Sequence, residues 1–448
     1  MLTDRSAPDP RPGTATAFTA ELVFIDGVFR EDTFVIEQNG DIWAIENHAP
    51  PDVEVVDFGE AAIFPGGVNT HTHSFQSLIR GLADELDLPS WLAVVYGASA
   101  DYGPEECYVG AALSFGEMLR SGTTTVADFF YLNARGNENV RAVIQAALDL
   151  GIRLVMGRAG LDAEWGGRGA RETVAEAVAR FRTLADEFQG HPTVEISPAP
   201  HSLYGSSREM IEAMYELAVE FDTHWYVHVA DPKDPEDGGL NRPGERTIPT
   251  FEEWGVLDSR LVLAHALFLR DEEIALVAER GASVACNPAS GMFFGDGILD
   301  LPRLWRHGVT VGLATDGAAS NNALNIFREA QVASMSQKLR AEDPAAVSAS
   351  QIARLATEDG GRALGLPVGQ VAPGQRADFA VLDILDFTLQ PRAALTSNIV
   401  HAMSERAITH VYCGGRQVVR DGRLCLIDQD DLLRRAGRLL GSPRLATA

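Results

Sequence analysis

The sequence predicts an α/β protein built on a (β/α)8 barrel, with a smaller β domain assembled from the two chain ends. Three observations predict it. Apolar runs of strand length alternate with helical stretches until eight strands have passed. These runs are apolar throughout rather than alternating, as parallel strands covered on both faces are. Short alternating segments broken by Gly and Asn turns flank the region on both sides.

Taken in order, residues 1–17 are rich in Pro, Asp and Thr, lack periodicity and read as a flexible leader. Residues 18–63 hold the alternating segments ELVFIDGVF, DTFVIEQNG and DIWAIE, which form the first part of the β domain. The barrel spans 64–366. Its first strand is read in AAIFPGGVNTHTH, and TTTVADFFY, IRLVMGRAG and TVEISPAP follow the helices predicted over 104–120, 138–150 and 171–189. HWYVHVAD comes after the helix of 206–221 and RLVLAHALF after it, then ASVACNP and VTVGLATDG after the helices of 270–280 and 300–307. Residues 367–448 return to short strands in RADFAVLDI, ITHVYCGGRQVV and GRLCLI, which complete the β domain ahead of a C-terminal tail. A doubly wound open sheet would carry a Gly-rich turn after its first strand; His-Thr-His stands there instead.

Composition narrows the function. With 37 basic against 63 acidic residues the net charge of the 448-residue chain is -26, which repels phosphate backbones and anionic lipid and excludes nucleic acid and membrane surfaces as expected partners. Cys107, Cys286, Cys413 and Cys425 form no CxxC pair, which argues for a reduced compartment. The N-terminal stretch lacks an apolar run of signal-peptide length, and nothing approaches the ~20 apolar residues of a membrane span, so the cytoplasm is the expected location.

Active sites of (β/α)8 barrels lie at the C-terminal ends of the strands, and the sequence places polar residues there repeatedly. The first strand ends in His71 and His73, which share a face of an extended segment and can bind one ion. The fifth ends with His228, the sixth with His265 and the eighth with Asp316. Singly, His228 reads as a half-buried hydrogen-bonded histidine and Asp316 as a helix cap; their convergence on one mouth favours a site. Nitrogen ligands with a carboxylate suit Zn²⁺, and Fe²⁺ or Mn²⁺ also tolerate such a set. In the loop after the first strand Trp91 and Glu85 offer an aromatic wall and an acid for a heterocycle, although packing and solvation explain them equally well. The polar segment DPKDPEDGGLNRPGER reads as a solvated loop, with a mobile lid as the alternative.

FPGGVNTHTH, HVAD, LAHALF and ATDGAASNN together resemble the amidohydrolase superfamily over residues 18 to 430. RGLADELDLPSWL and LATDGAASNN are similar to the branch holding S-adenosylhomocysteine and methylthioadenosine deaminases and atrazine chlorohydrolases. The resemblance implies a β-sandwich made from both chain ends, and one divalent ion per chain held by His71, His73, His228 and Asp316. It implies that His265 contacts the water or the reacting centre, and that His201, in SPAPHSLYG, contacts substrate; the plainer reading of His201 is a hydrogen-bonded loop residue. Binuclear relatives bridge two ions with a lysine of the fourth strand, and TVEISPAPHS has none. The implied chemistry is attack of an activated water on an amidine-like carbon, with Asp316 accepting its proton. The expected partners are a small-molecule substrate and, since such relatives are commonly dimers or larger, further copies of the chain.

Two positions depart from the branch. Asp231 stands where a Glu usually protonates the ring nitrogen, and Cys286 stands where a His often precedes Asn-Pro. Asp231 is therefore a candidate proton shuttle or a cap of the following loop. The leading expectation is a deaminase acting on an amino-substituted nitrogen heterocycle. The same site would also serve displacement of chloride, an alkylamine or an amide or urea nitrogen. A non-catalytic scaffold is the reading from another class, and the complete expected ligand set counts against it.

Overall fold

The computed structural model describes residues 15–231, 233, 240, 241 and 245–440. Eight parallel strands form its centre: β1 (Gly67–Thr72), β2 (Thr123–Phe130), β3 (Arg153–Gly160), β4 (Val194–Pro200), β5 (Trp225–Val229), β6 (Leu261–His265), β7 (Ser283–Cys286) and β8 (Thr310–Leu313). They pair into two four-stranded sheets, β1 to β4 and β5 to β8, each in sequence order. The two sheets meet at both edges. The His228 N–H of β5 donates to the His201 carbonyl just beyond β4 at 3.0 Å, and the Asp316 N–H beyond β8 donates to the His71 carbonyl of β1 at 3.1 Å. Almost every strand residue is buried, which accounts for the unbroken apolar runs.

Helices separate the strands for local reasons. Thr173 and Glu176 form a capping box at the start of Val174–Phe188, Ser207 caps Arg208–Glu220, and Gly151, at φ 77°, ends Glu138–Leu150 in the left-handed conformation. None of the described helices is long and apolar enough to cross a membrane.

The chain ends share one seven-stranded sheet, in which Phe379–Asp383 pairs antiparallel with Ala61–Pro65, register Val381 to Ile63. Asp41–Glu46, Phe34–Gln38, Ala15–Thr19 and Glu54–Asp57 form a separate four-stranded sheet. Phe18 of the smaller sheet meets Phe379 and Tyr412 of the larger edge-on at 5.1 and 5.0 Å. Arg153 of β3 ties this region to the strands of the centre: its guanidinium donates to both oxygens of buried Asp378 at 3.0 and 3.2 Å, and Asp378 also accepts from the Gly414 N–H.

Three expectations change. The leader was expected to reach residue 17, yet strand structure begins at Ala15, because Ala15 to Thr19 find partners in Gln38 to Phe34. The remainder of that segment lies outside the described residues, as does most of DPKDPEDGGLNRPGER. AAIFPGGVNTHTH is two strands rather than one, broken at Gly66, where an added Cβ would overlap the Thr124 side chain. Phe64 and Pro65 therefore belong to the terminal sheet rather than to the barrel assigned from residue 64. The expected tail contains a helix, Gln429–Leu440, whose apolar side packs on Pro104–Arg120; Arg435 lies over the Tyr108 ring at 5.0 Å.

Candidate metal centre and catalytic cavity

The expected ligands come together where β1, β5 and β8 end. His71 Nε2 and His73 Nε2 lie 3.6 and 3.4 Å from Asp316 Oδ1, and His73 Nε2 lies 3.3 Å from His228 Nε2. All four side chains are buried. The alternation of an extended strand puts His71 and His73 on one face, and pairing of β5 with β6 brings His228 level with Ala264, one residue before His265.

The hydrogen bonds fix the tautomers. His73 Nδ1 lies 2.7 Å from the Phe129 carbonyl and His228 Nδ1 2.8 Å from the His201 carbonyl. Carbonyls only accept, so both Nδ1 atoms carry the proton and both Nε2 atoms turn bare lone pairs toward each other. His71 Nε2 is buried without a hydrogen-bond partner. Two bare nitrogens and the unpartnered Nε2 of His71 gathered around a carboxylate fit a divalent ion, and this donor set fits zinc.

Charge states agree. Burial, then the neighbouring His71, brings His73 down to about 3, and burial with the nearby His201, His71 and His73 holds His228 well below the usual imidazole range. For Asp316, burial opposes ionisation, yet the nearby His71, His265 and His73 keep its carboxyl well below the usual range. Both oxygens of Asp316 are anchored: Ser290 Oγ donates to Oδ2 at 2.7 Å and the Gly317 N–H to Oδ1 at 2.9 Å.

His265 is geometrically close enough to join a triad with His71 and His228. Its hydrogen bonding gives it another character. The Asn287 amide nitrogen donates to the Ala285 carbonyl at 3.1 Å, which fixes the amide orientation, and the same nitrogen stands 3.3 Å from His265 Nδ1. His265 Nδ1 thus accepts, and its Nε2 carries the proton. His265 and Asp316 both sit in left-handed backbone, at φ 70° and 59°, a conformation non-glycine residues adopt sparingly and one that recurs at functional sites.

Beside these groups opens a cavity of about 290 Å³, with His73, His201, His228, His265 and Asp316 on its floor and Trp91, Tyr96, Tyr131, Tyr204 and Phe294 among its walls. Trp91 donates its indole N–H to the Ala319 carbonyl at 2.8 Å and meets Phe294 edge-on at 5.4 Å, so it presents apolar surface. His201 is buried between Ser202 Oγ, 2.9 Å from Nδ1, and Tyr96 Oη, 3.0 Å from Nε2; burial, with His73 and His71 nearby, lowers it to about 3.

Asp231 and Glu85 are placed differently. Asp231 lines the cavity, but its carboxylate accepts from the Thr247 N–H at 3.0 Å, Thr247 Oγ1 at 2.6 Å and Asn241 Nδ2 at 2.7 Å. These contacts tie Asp231 to Thr247, the first residue of the helix Thr247–Trp254. Glu85 is exposed in left-handed backbone at φ 64°, in the turn before the helix Leu88–Ser99, and does not line the cavity. That turn directs its side chain to solvent.

Ser290, Asn287 and Tyr96 were not singled out in the sequence. Asn287 stands in the noted Cys-Asn-Pro and Tyr96 five residues after Trp91 on the same helix, whereas nothing local marks Ser290.

The sequence profile of the amidohydrolase family matches residues 62–418. The chain belongs to that family. This amidohydrolase is 34% identical to a 5'-deoxyadenosine deaminase of Methanothermobacter thermautotrophicus over 408 residues, 90% of this chain and 92% of the relative. It is 33% identical to a 5-methylthioadenosine/S-adenosylhomocysteine deaminase of Haloarcula marismortui, over 91% and 93% of the two chains. Among solved structures, an adenosine deaminase from Xanthomonas campestris with bound zinc superposes at a TM-score of 0.88 with 29% identity, covering 98% of this chain and all of the other. Atrazine chlorohydrolase TrzN from Arthrobacter aurescens TC1, complexed with zinc, also gives 0.88, at 25% identity and over 95% of this chain and all of the other.

Proposed function

We propose that this amidohydrolase removes ammonia from an amino-substituted nitrogen heterocycle of the adenosine type, with one zinc ion held by His71, His73, His228 and Asp316. The observation that carries the reading is the set of bare imidazole nitrogens and one carboxylate turned toward a common point beside an aromatic-walled cavity. When bound, the ion lowers the pKa of a coordinated water toward neutrality.

Asp316 is placed to take the proton, because Ser290 and Gly317 fix its carboxylate and leave it ionised. His265 presents Nε2–H to the cavity and serves as a donor to the oxygen or nitrogen that gains electron density. His201 and the aromatic walls seat the ring. Asp231 holds the loop after β5 rather than relaying protons, since its oxygens are already engaged. Hydrolytic displacement of another leaving group is the second reading; engagement of Asp231 favours it, because such displacement needs less ring protonation.

In the same reading the two sheets of β1 to β8 close as a (β/α)8 barrel, the terminal sheets stack as a sandwich, and the protein works in the cytoplasm as a homo-oligomer without nucleic acid.

The test is ammonia release by metal-quantified protein across adenosine derivatives, other aminopurines, aminopyrimidines and aminotriazines, with mass detection of other leaving groups. Ammonia from an adenosine derivative is the expected result. Turnover without ammonia would replace this reading by the second, and full metal occupancy without any turnover would overturn both.

A further inference from the structure

Behind the metal centre lies a buried carboxylate that the chemistry above leaves unused. Glu329 stands in the first turn of the helix Ile326–Ala341 and is shielded from solvent. Its Oε2 accepts from the Ala289 N–H at 3.0 Å and its Oε1 from Asn321 Nδ2 at 3.0 Å. Burial pushes its carboxyl up to about 7, against the pull of those two donors. Burying an acid costs free energy that an apolar side chain of like volume avoids.

The two donors belong to the two segments that meet at Asp316. Ala289 precedes Ser290, whose Oγ donates to Asp316 Oδ2 at 2.7 Å. Asn321 Nδ2 also donates to the carbonyl of Thr315, the residue before Asp316, at 2.8 Å. One carboxylate therefore bridges the segment after β7, which brings the hydroxyl, to the segment after β8, which brings the acid. Further along the same helix, Gln337 donates to the Leu299 carbonyl at 2.7 Å and accepts from the Leu301 N–H at 3.1 Å. The far end of the β7 segment is thus secured without Glu329.

The bridge needs an acceptor on each oxygen. Both groups that face Glu329 are N–H donors, and an amide in its place would set its own NH2 against one of them. Turning the Asn321 amide would not relieve the clash, because its nitrogen also serves the Thr315 carbonyl and its oxygen accepts from Arg328 at 3.4 Å.

We propose that Glu329 is a positioning residue for Asp316: it fixes the segment carrying Ser290 against the segment carrying Asp316, and so sets zinc affinity and the aim of the carboxylate that takes the proton. Its effect on turnover rests on the deaminase reading above, whereas its effect on zinc binding needs only the ligand set.

The experiment compares Glu329→Gln, Ser290→Ala and the double variant by chelator competition for zinc, and by kcat and KM for ammonia release at saturating zinc. Glu329→Gln keeps the side chain's shape. It should lower zinc affinity and kcat by about tenfold or more each, with KM within about threefold of the wild type. In the Ser290→Ala background the same substitution should cost less than about threefold, because the hydroxyl it acts through is gone. Glu329→Asp keeps the charge but falls one methylene short of bridging both donors. It should lose as much, and it carries the test if the amide variant does not fold.

Unchanged zinc affinity in a folded Glu329→Gln or Glu329→Asp protein overturns the proposal. So does a tenfold loss that persists in the Ser290→Ala background, since a residue that only stabilises the fold acts independently of Ser290. The expected zinc affinities without any ammonia release overturn the deaminase reading and leave Glu329 its role; a wild-type chain that binds no zinc overturns both.

Discussion

His228 shows how one side chain's partners decide its chemistry. Its Nδ1 proton is committed to the His201 carbonyl and its Nε2 faces His73, so removing the ring removes a proposed ligand and opens little else. His228→Ala should lose bound zinc by at least about tenfold with the circular dichroism spectrum unchanged; undiminished metal per chain would strike His228 from the ligand set. Asp231→Asn separates a cap from a relay. A proton relay contributes ~10²–10⁴-fold. The capping role predicts a loss of less than about tenfold in turnover together with a lower melting temperature, and a loss of several hundredfold would restore the relay. Acid should act on the metal-free protein through the buried imidazoles. Burial is the largest cause in each: His73 and His201 fall to about 3 and His265 to about 4, from an ordinary value of 6.5. The unfolded chain therefore binds protons below 6.5 that the folded chain refuses, and stability must fall as pH drops from 6.5 toward 3. Urea midpoints measured across that window should decline steadily, and a flat profile would contradict the buried neutral state.

At the scale of elements, strand ends were legible and the supports behind them were not. His71, His73, His228, His265 and Asp316 each terminate an apolar run, so a one-dimensional pattern marks them. Ser290 acts on Asp316, and Asn287 on His265, across distances in sequence that no local periodicity encodes. The sequence offers Asp231 through the branch's Glu position and Glu85 through its loop after the first strand; the start of a helix engages the carboxylate of the first, and a left-handed turn gives the second to solvent. The helix Pro288–Phe293 carries Ser290 beneath Asp316. Ser290→Ala should lower zinc affinity by roughly 10–100-fold, the usual effect of losing a ligand's supporting hydrogen bond, and should lower kcat without unfolding the protein. Equal affinity in the variant would assign Asp316 its orientation from Gly317 alone.

For the whole molecule, the eight-strand rhythm and the pairing of the chain ends were readable because each strand is a continuous apolar run and each end reuses the same short-strand vocabulary. The break at Gly66 was not, since it depends on Thr124, a residue of β2. Arg153 and Asp378 join the central strands to the terminal sheet through a buried, bidentate pair. Asp378→Ala leaves the guanidinium without its partner and should cost ~3–5 kcal/mol, read as a lowered denaturant midpoint. A change below about 1 kcal/mol would show that water reaches the arginine.

The pairing of Ala61–Pro65 with Phe379–Asp383 also sets an order of events during synthesis. The ribosome releases the first strand long before its antiparallel partner exists, and strand β1, which ends in the proposed ligands His71 and His73, follows directly from that waiting edge. Until the late strand arrives, one side of Ala61–Pro65 offers unpaired backbone groups to any other chain. A nascent or truncated chain ending before residue 379 would therefore carry an open, adhesive edge just ahead of its histidine pair, and its yield should depend on chaperones in a way that the finished protein's does not.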